Sequence, residues 1–369
     1  MNKQTQSATA PKKERNLYIS YIKGAAIIGV VLIHVTNWSN VPLSWPARII
    51  ESVLHASVLL FVLAAGSVVF VAYERKSLRE QVKRIFYRGG QLLFVYYLYS
   101  LVKLSVYNFS TEPFYGQFTK IGALTASNIL SFRSFTVPIT VLITYPLLLA
   151  FSPLLLLLSK KVRRSEWIIL AAAIGLFLVD YYTGIQSLAS PFIKFIYANG
   201  FVLFPIALWL VPFILGFFLA QVGFEKQRRW ILLAGVASTI FYGAQLFLSR
   251  QSISLDDYEF PLAPYFIAFG LLTLGLLLYV FRPLEKMRQK WVRGSLAAIR
   301  LLGDNTLNIY VYQWVVIDLT IWIFYPLTGL IWLTVPAYLA AFLYAKKKKF
   351  IEYYHHQTET AKALGAEIL

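Results

Sequence analysis

The sequence predicts an all-α, polytopic integral membrane protein. Its 369 residues are 58% hydrophobic and only 14% charged, whereas soluble domains carry about 25% charged residues. Apolar runs long enough to cross the roughly 30 Å hydrocarbon core of a bilayer recur along the chain. Between these runs, basic residues concentrate in alternate polar segments, which is typical of the cytoplasmic loops of a membrane protein.

Ten apolar segments are predicted to be membrane-spanning helices. They are 17–38, 49–73, 85–106, 136–158, 166–184, 199–221, 230–248, 262–281, 301–323 and 325–345. The range 17–345 is therefore assigned to one membrane domain. A short basic tail, 1–16, precedes it, and a basic and polar tail, 346–369, follows it and is expected to contact lipid head groups.

The distribution of positive charge predicts the orientation of these spans. Of the 35 Lys and Arg residues, 28 fall in polar segments on the side that holds both termini, five fall on the opposite side, and two lie within spans. The positive-inside rule therefore places both termini in the cytoplasm. Because topology accounts for the net charge of +18, no nucleic-acid binding is predicted. The chain contains no cysteine, which excludes disulfides and a cysteine nucleophile, and no metal-ligand pattern is evident.

Two ionisable residues lie within the first predicted span. Lys23 and His34 are eleven residues apart, which places them about 20° apart around a helix and about 16 Å apart along it. They share one face, with Lys23 near the cytoplasmic surface and His34 towards the outer leaflet. Ionisable residues inside a span indicate a functional site, and an imidazole suits a general base or a proton shuttle. A snorkelling lysine and a histidine bonded to a neighbouring helix are the alternatives.

Several motifs occur in an order that resembles a known family. They are Lys23-x10-His34, the segment 58–66 (VLLFVLAAG), the basic run 83–88 (KRIFYR), the segment 213–216 (FILG) and the segment 302–313 (LGDNTLNIYVYQ). Together they resemble the acyltransferase-3 family of integral membrane acyltransferases. The chain departs from the family pattern at Gln313, where histidine is usual, and at Ala65, where serine is usual. Its basic run has the spacing Arg84-x3-Arg88 instead of the commoner Arg-x2-Arg.

The resemblance implies transfer of an acyl group, most often acetyl, from cytoplasmic acyl-CoA to a hydroxyl of a cell-surface or lipid-linked saccharide. It implies that His34 removes the hydroxyl proton or carries the acyl group transiently. The CoA phosphates need cations, and Lys23, Arg84 and Arg88 are expected near the cytoplasmic membrane surface. Acyl-CoA is thus the expected donor and a saccharide the expected acceptor. No metal is expected.

Further polar residues are candidates for an acceptor site or a cavity wall. Glu51 and His55 are four residues apart, so the carboxylate can orient the histidine, and an ordinary interfacial pair is the alternative. Thr306, Tyr310 and Gln313 share one face of the ninth span. Hydrogen bonds between helices are the alternative role for these three residues.

Asp318, deeper in the ninth span, is a further candidate for that site. It needs a buried partner or water, and the sequence names neither. Lys103 is expected to be interfacial, near the outer end of the third span. A transporter or flippase of lipid-linked saccharide or polysaccharide is the alternative function, because ten helices and polar residues near the midplane also suit that class. A membrane sensor or scaffold is a third interpretation, which leaves the face that carries His34 unexplained.

Overall fold

Every regular element that the computed structural model describes is helical. The described residues are 17–39, 44–109, 125–130, 141–161, 165–183, 206–255, 262–324 and 327–366. The helices are α1 (Leu17–Trp38), α2 (Trp45–Leu54), α3 (Ala56–Tyr73), α4 (Leu78–Phe109), α5 (Ala126–Leu130), α6 (Val141–Lys161), α7 (Ser165–Thr183), α8 (Ile206–Val222), α9 (Phe224–Leu248), α10 (Pro264–Lys286), α11 (Lys290–Asp304), α12 (Thr306–Phe324), α13 (Ile331–Ala345) and α14 (Lys347–Ala366), with a short 3₁₀ helix at Thr328–Leu330. The predicted all-α class is confirmed, and the predicted tail 1–16 lies outside these residues.

Six helical stretches among the described residues are long and apolar enough to cross a membrane. They are α1, the stretch Trp45–Tyr73 that combines α2 and α3, α6, α9, α10 and α12. Three shorter apolar stretches occur at Trp167–Val179 in α7, in α8 and in α13. A helix lies within each of the ten predicted spans, although parts of those spans fall outside the described residues. The count of ten and the cytoplasmic orientation of both termini stay predictions.

Several helix boundaries differ from the predicted ones, and two of these differences affect the candidate site. Helix α4 begins at Leu78, so the basic run 83–88 lies inside a helix that starts seven residues before the predicted span. The predicted span 301–323 is interrupted at Asn305, between α11 and α12. The Asn305 amide donates to the Leu301 carbonyl at 2.7 Å, and the Thr306 hydroxyl donates to the Gly303 carbonyl at 2.5 Å. These side chains satisfy carbonyls at the end of α11, in place of a continued helix.

Helix α1 packs against α3, α11 and α12, and its closest approach is to α11. A Cβ atom on Gly24 would lie 2.1 Å from the carbonyl oxygen of Ile299, and one on Gly303 would lie 1.9 Å from that of Ser20. Glycine at both positions therefore lets the two backbones touch, as small residues do where membrane helices cross. The Ser20 hydroxyl also donates to Asp304 Oδ1 at 2.9 Å.

The second close crossing joins α3 to α8 and explains two of the sequence motifs. A Cβ atom on Gly66 would lie 1.8 Å from the carbonyl oxygen of Phe213, and one on Gly216 would lie 1.8 Å from that of Leu63. The Ser67 hydroxyl donates to the Gly216 carbonyl at 2.8 Å. The segments 58–66 and 213–216 are therefore the two halves of one helix contact.

The predicted polar tail 346–369 contains a helix that is docked on the bundle. Helix α14 packs against α11 and α10. The Gln357 amide donates to the Tyr21 hydroxyl, and the Tyr353 hydroxyl donates to Asp304 Oδ2 at 2.5 Å. The guanidinium of the buried Arg300 lies 4.3 Å from the centre of the Tyr353 ring. The first and last described helices therefore meet at the same end of the bundle.

Replacing Gly303 by alanine is expected to lower stability, because the new Cβ would force α1 and α11 apart. Overpacking of this kind typically costs about 1–3 kcal/mol. Gly294→Ala is the matched control in the same helix, since no described atom lies within 4 Å of a Cβ there. Thermal unfolding in detergent should show a lower midpoint for Gly303→Ala alone. Equal midpoints for the two variants would contradict the close backbone contact between α1 and α11.

Candidate functional site

A cavity of about 320 Å³ lies where α1, α3, α4 and α6 meet the break between α11 and α12. Its polar lining residues are Lys23, Tyr73, Arg88, Tyr145, Asp304, Asn305, Thr306, Asn308 and Tyr310. The rest of the wall is apolar and includes Phe61, Ala65 and Leu142. An apolar pocket with a few convergent polar groups is the usual form of a small-molecule site. Residues at and around the break at Asn305 form one side of this cavity.

An open groove of about 570 Å³ adjoins this cavity between α4 and α12. Arg88, Leu307 and Asn308 line both spaces. The outer wall of the groove carries the exposed aromatic residues Phe86 and Phe94. The Arg88 side chain therefore lies at the junction of the groove and the cavity, where its guanidinium donates to Gln91 Oε1 at 3.1 Å.

His34 lies behind the aromatic end of the cavity. Tyr310 lines the cavity, and the centre of its ring is 6.1 Å from that of the His34 ring. On its other side the His34 ring packs against Trp314, with 4.2 Å between ring centres. His34 Nδ1 is buried and has no hydrogen-bond partner among the described residues. The imidazole is thus held by aromatic contacts and keeps a nitrogen that can accept or donate a proton.

The Gln313 side chain completes the surroundings of His34. It is fully buried, and it lies within interaction range of the imidazole without reaching hydrogen-bond geometry. Neither its amide oxygen nor its amide nitrogen is hydrogen-bonded to any part of the chain that the structure describes. Such a group costs about 1–3 kcal/mol of folding free energy. Gln313 stands where a histidine was expected from the resemblance, so it supplies an amide beside His34.

The structure brings some of the predicted donor-binding residues together. Helix α1 is continuous from Lys23 to His34, so the two residues keep the predicted spacing on one face. Lys23 and Arg88 both line the cavity. Arg84 does not, within the described residues, and instead forms an ion pair with Glu80 at 2.8 Å on the exposed side of α4.

The predicted acceptor residues divide between the cavity and its surroundings. Thr306 and Tyr310 line the cavity wall, whereas Gln313, predicted on the same helix face, does not. His55 is buried at the junction of α2 and α3 and lies close enough to His34 to interact with it electrostatically. Glu51 is partly buried one turn before it. Of the described residues, neither Glu51 nor His55 lines the cavity.

Asp318 has a partner that the sequence analysis missed. Its Oδ1 atom forms an ion pair with Lys103 Nζ at 3.1 Å, and its Oδ2 atom accepts a hydrogen bond from the Tyr99 hydroxyl. Lys103 was expected to be interfacial, but only 5% of its side chain is exposed. Periodicity could not reveal the pair, because its members lie 215 residues apart on different helices. The sequence did contain one indication of the pair, because Lys103 and Asp318 are residues of opposite charge within predicted spans.

The described residues contain no group of three or more His, Asp or Glu side chains that could hold a metal ion. Fold and site thus define a helical membrane protein with a polar cavity inside its bundle. The family model described as an acyltransferase domain matches residues 16–345, and the chain belongs to this family of membrane acyltransferases. It is therefore an acyltransferase, and the transporter and scaffold interpretations are set aside. No curated protein and no solved structure matches the chain.

Replacing Gln313 by methionine is expected to raise the free energy of unfolding by about 1 kcal/mol, because the variant no longer buries an unbonded amide. Gln81→Met is the matched control. Gln81 is equally buried, but its amide donates to the carbonyls of Tyr73 and Lys76 at 2.9 and 3.0 Å, so its loss should destabilise. Unfolding midpoints in detergent would measure both variants. Destabilisation by Gln313→Met would show that this amide is bonded in the folded protein.

Proposed function

We propose that the protein is a membrane O-acyltransferase that moves an acyl group, most often acetyl, from cytoplasmic acyl-CoA to a hydroxyl of a cell-surface or lipid-linked saccharide. Membership of the acyltransferase family supports the reaction class. The observation that carries the rest of the proposal is the position of His34. Its imidazole lies inside the bundle, next to the end of a cavity whose wall also contains two cations.

The donor is proposed to bind with its phosphates at Lys23 and Arg88. Both side chains are cationic and both line the cavity, and Arg88 also faces the open groove. Cations in this arrangement complement phosphate oxygens. A cavity of about 320 Å³ suits the narrow pantetheine arm and its thioester, while the nucleotide remains in the groove. The spacing of about 16 Å between Lys23 and His34 along α1 is comparable to the reach of that arm.

The proposed chemistry is proton removal by His34. As the saccharide hydroxyl attacks the thioester carbonyl, the imidazole takes the hydroxyl proton. The tetrahedral intermediate then collapses, the carbon–sulfur bond breaks, and the imidazolium returns the proton to the departing CoA sulfur. We propose that the Gln313 amide and the Tyr310 hydroxyl donate to the developing oxyanion, because both side chains lie near the imidazole. In a second route the imidazole nitrogen attacks the thioester carbonyl and expels the CoA thiolate. The hydroxyl then takes the acyl group from the imidazole, and its proton goes to the thiolate.

Membranes that contain the protein should transfer label from radioactive acetyl-CoA to a saccharide. His34→Asn should reduce this transfer by about 10²- to 10⁴-fold, the usual effect of removing a general base, while the protein still accumulates in the membrane. His355→Ala is the matched control, because His355 is exposed on α14. Retention of activity by His34→Asn would exclude its catalytic role.

Mass spectrometry of the cell-surface polysaccharide, with and without the protein, would identify the acceptor. Acetyl groups that disappear from one saccharide in the deletion strain are expected. Transfer of succinyl or another acyl group would revise the donor but keep the enzyme class. No change in any surface or lipid-linked saccharide would contradict the proposed acceptor.

Lys23→Met should raise the KM for acetyl-CoA by roughly 10- to 100-fold, since one charge-assisted contact to phosphate is worth about 1.5–3 kcal/mol. Lys23→Arg should retain most of the affinity, because guanidinium also binds phosphate. Lys348→Met on the exposed side of α14 serves as the control for loss of one positive charge. Steady-state kinetics at varied acetyl-CoA concentration would measure these effects, and an unchanged KM in Lys23→Met would contradict the donor site.

A further inference from the structure

The ion pair between Lys103 and Asp318 is a buried charge interaction that the proposed reaction leaves unused. Side-chain exposure is 5% for Lys103 and 21% for Asp318, and the two charged atoms are 3.1 Å apart. The Tyr99 hydroxyl bonds the second carboxylate oxygen. Paired charges within membrane spans are costly to bury and commonly have a functional role. Neither partner lines the cavity described above.

Aromatic contacts connect this ion pair to His34. Lys103 Nζ lies 5.9 Å from the centre of the Trp38 ring, within the range of a cation–π contact. The Trp38 ring meets Trp314 nearly edge-on, with 5.4 Å between centres and 83° between planes. Trp314 in turn packs on His34 at 4.2 Å. Every step from the Lys103 ammonium to the imidazole is therefore a direct contact.

The sequence positions of these residues reinforce the connection. Trp38 follows His34 by four residues in α1, and Asp318 follows Trp314 by four residues in α12. Each pair is therefore stacked one turn apart on a single helix face. The lysine comes from a third helix, α4, and reaches both of the others. It lies fifteen residues beyond Arg88, about 22 Å along α4, and so is remote from the proposed phosphate site.

We propose that Lys103 and Asp318 are positioning residues for His34. The ion pair holds the end of α4 against α12, and the Lys103 ammonium fixes the Trp38 ring, which in turn fixes Trp314 against the imidazole. Small displacements of a catalytic group lower the rate steeply. The pair therefore sets kcat without contributing to donor binding. This inference rests on the proposed role of His34 as the proton acceptor.

Three variants test the inference: Lys103→Met, Asp318→Asn, and the double variant that carries both changes. Each single variant leaves a buried charge without its partner and is expected to destabilise the protein, whereas the double variant buries no unpaired charge and should fold better than either. Purified protein would be assayed for transfer from acetyl-CoA, with rates expressed per folded molecule. Lys362→Met, which removes one member of the exposed ion pair with Glu359, is the control for loss of a lysine.

The double variant is expected to be folded yet slow, with kcat roughly 10- to 100-fold below that of the unmodified protein and a KM for acetyl-CoA within about twofold of it. Tyr99→Phe keeps both charges and should lose only a few-fold in kcat. A folded double variant with normal kcat would show that the ion pair has no effect on catalysis, and this result would overturn the inference. A rise in KM at unchanged kcat would overturn it as well.

His34→Asn, assayed in parallel, separates this inference from the proposed function. If His34→Asn is inactive and the double variant is fully active, only the positioning role is excluded. An active His34→Asn defeats the proposed mechanism, and with it the reason to position that ring.

Discussion

The backbone contact between α1 and α11 is the constraint on which the rest of the site depends. Glycine at 24 and 303 allows the two helices to touch, and this contact sets Lys23 beside the end of α11. Because α11 stops at Asp304, the chain forms a turn at Asn305 before α12 begins at Thr306. The turn opens one wall of the cavity, and the first two turns of α12 supply its polar face. A side chain at either glycine would separate the cation from the wall that faces it.

The two ends of the cavity differ in chemical character, and the difference suits a reactive thioester. Cationic side chains and an open groove lie at one end, where a charged nucleotide can remain hydrated. Aromatic rings pack against His34 at the other end, where, under the proposed mechanism, they would shield the acyl carbon from water. Exclusion of water protects an activated acyl group from hydrolysis and strengthens the hydrogen bonds that act on the transition state. The bundle thus exposes Arg88 at one end of the cavity and buries the Nδ1 atom of His34 at the other.

Sequence patterns predicted the helices and the principal face of the site, but they did not reveal the contacts between distant segments. Lys23 and His34 could be related because a single helix joins them, and Thr306 and Tyr310 because they recur at helical spacing. The partner of Asp318 could not be found in this way, since no local pattern indicates which of many helices will face it. The break at Asn305 was missed because the apolar residues before and after it were assigned to one span, although residues 303–306 (GDNT) are of turn-forming types. The docked helix α14 was missed because its sequence is polar.

The contact between Tyr21 and Gln357 has a consequence for the synthesis of the protein. These residues are 336 positions apart, and Ser20 is 284 positions from its partner Asp304. Since a chain emerges from its N-terminus, α1 enters the membrane long before the residues that will enclose it exist. Until then its lysine and histidine must face lipid, water or an assisting protein. A polypeptide interrupted before α12 would contain the histidine but not Trp314, so the surroundings of the imidazole are completed only in about the last sixth of translation.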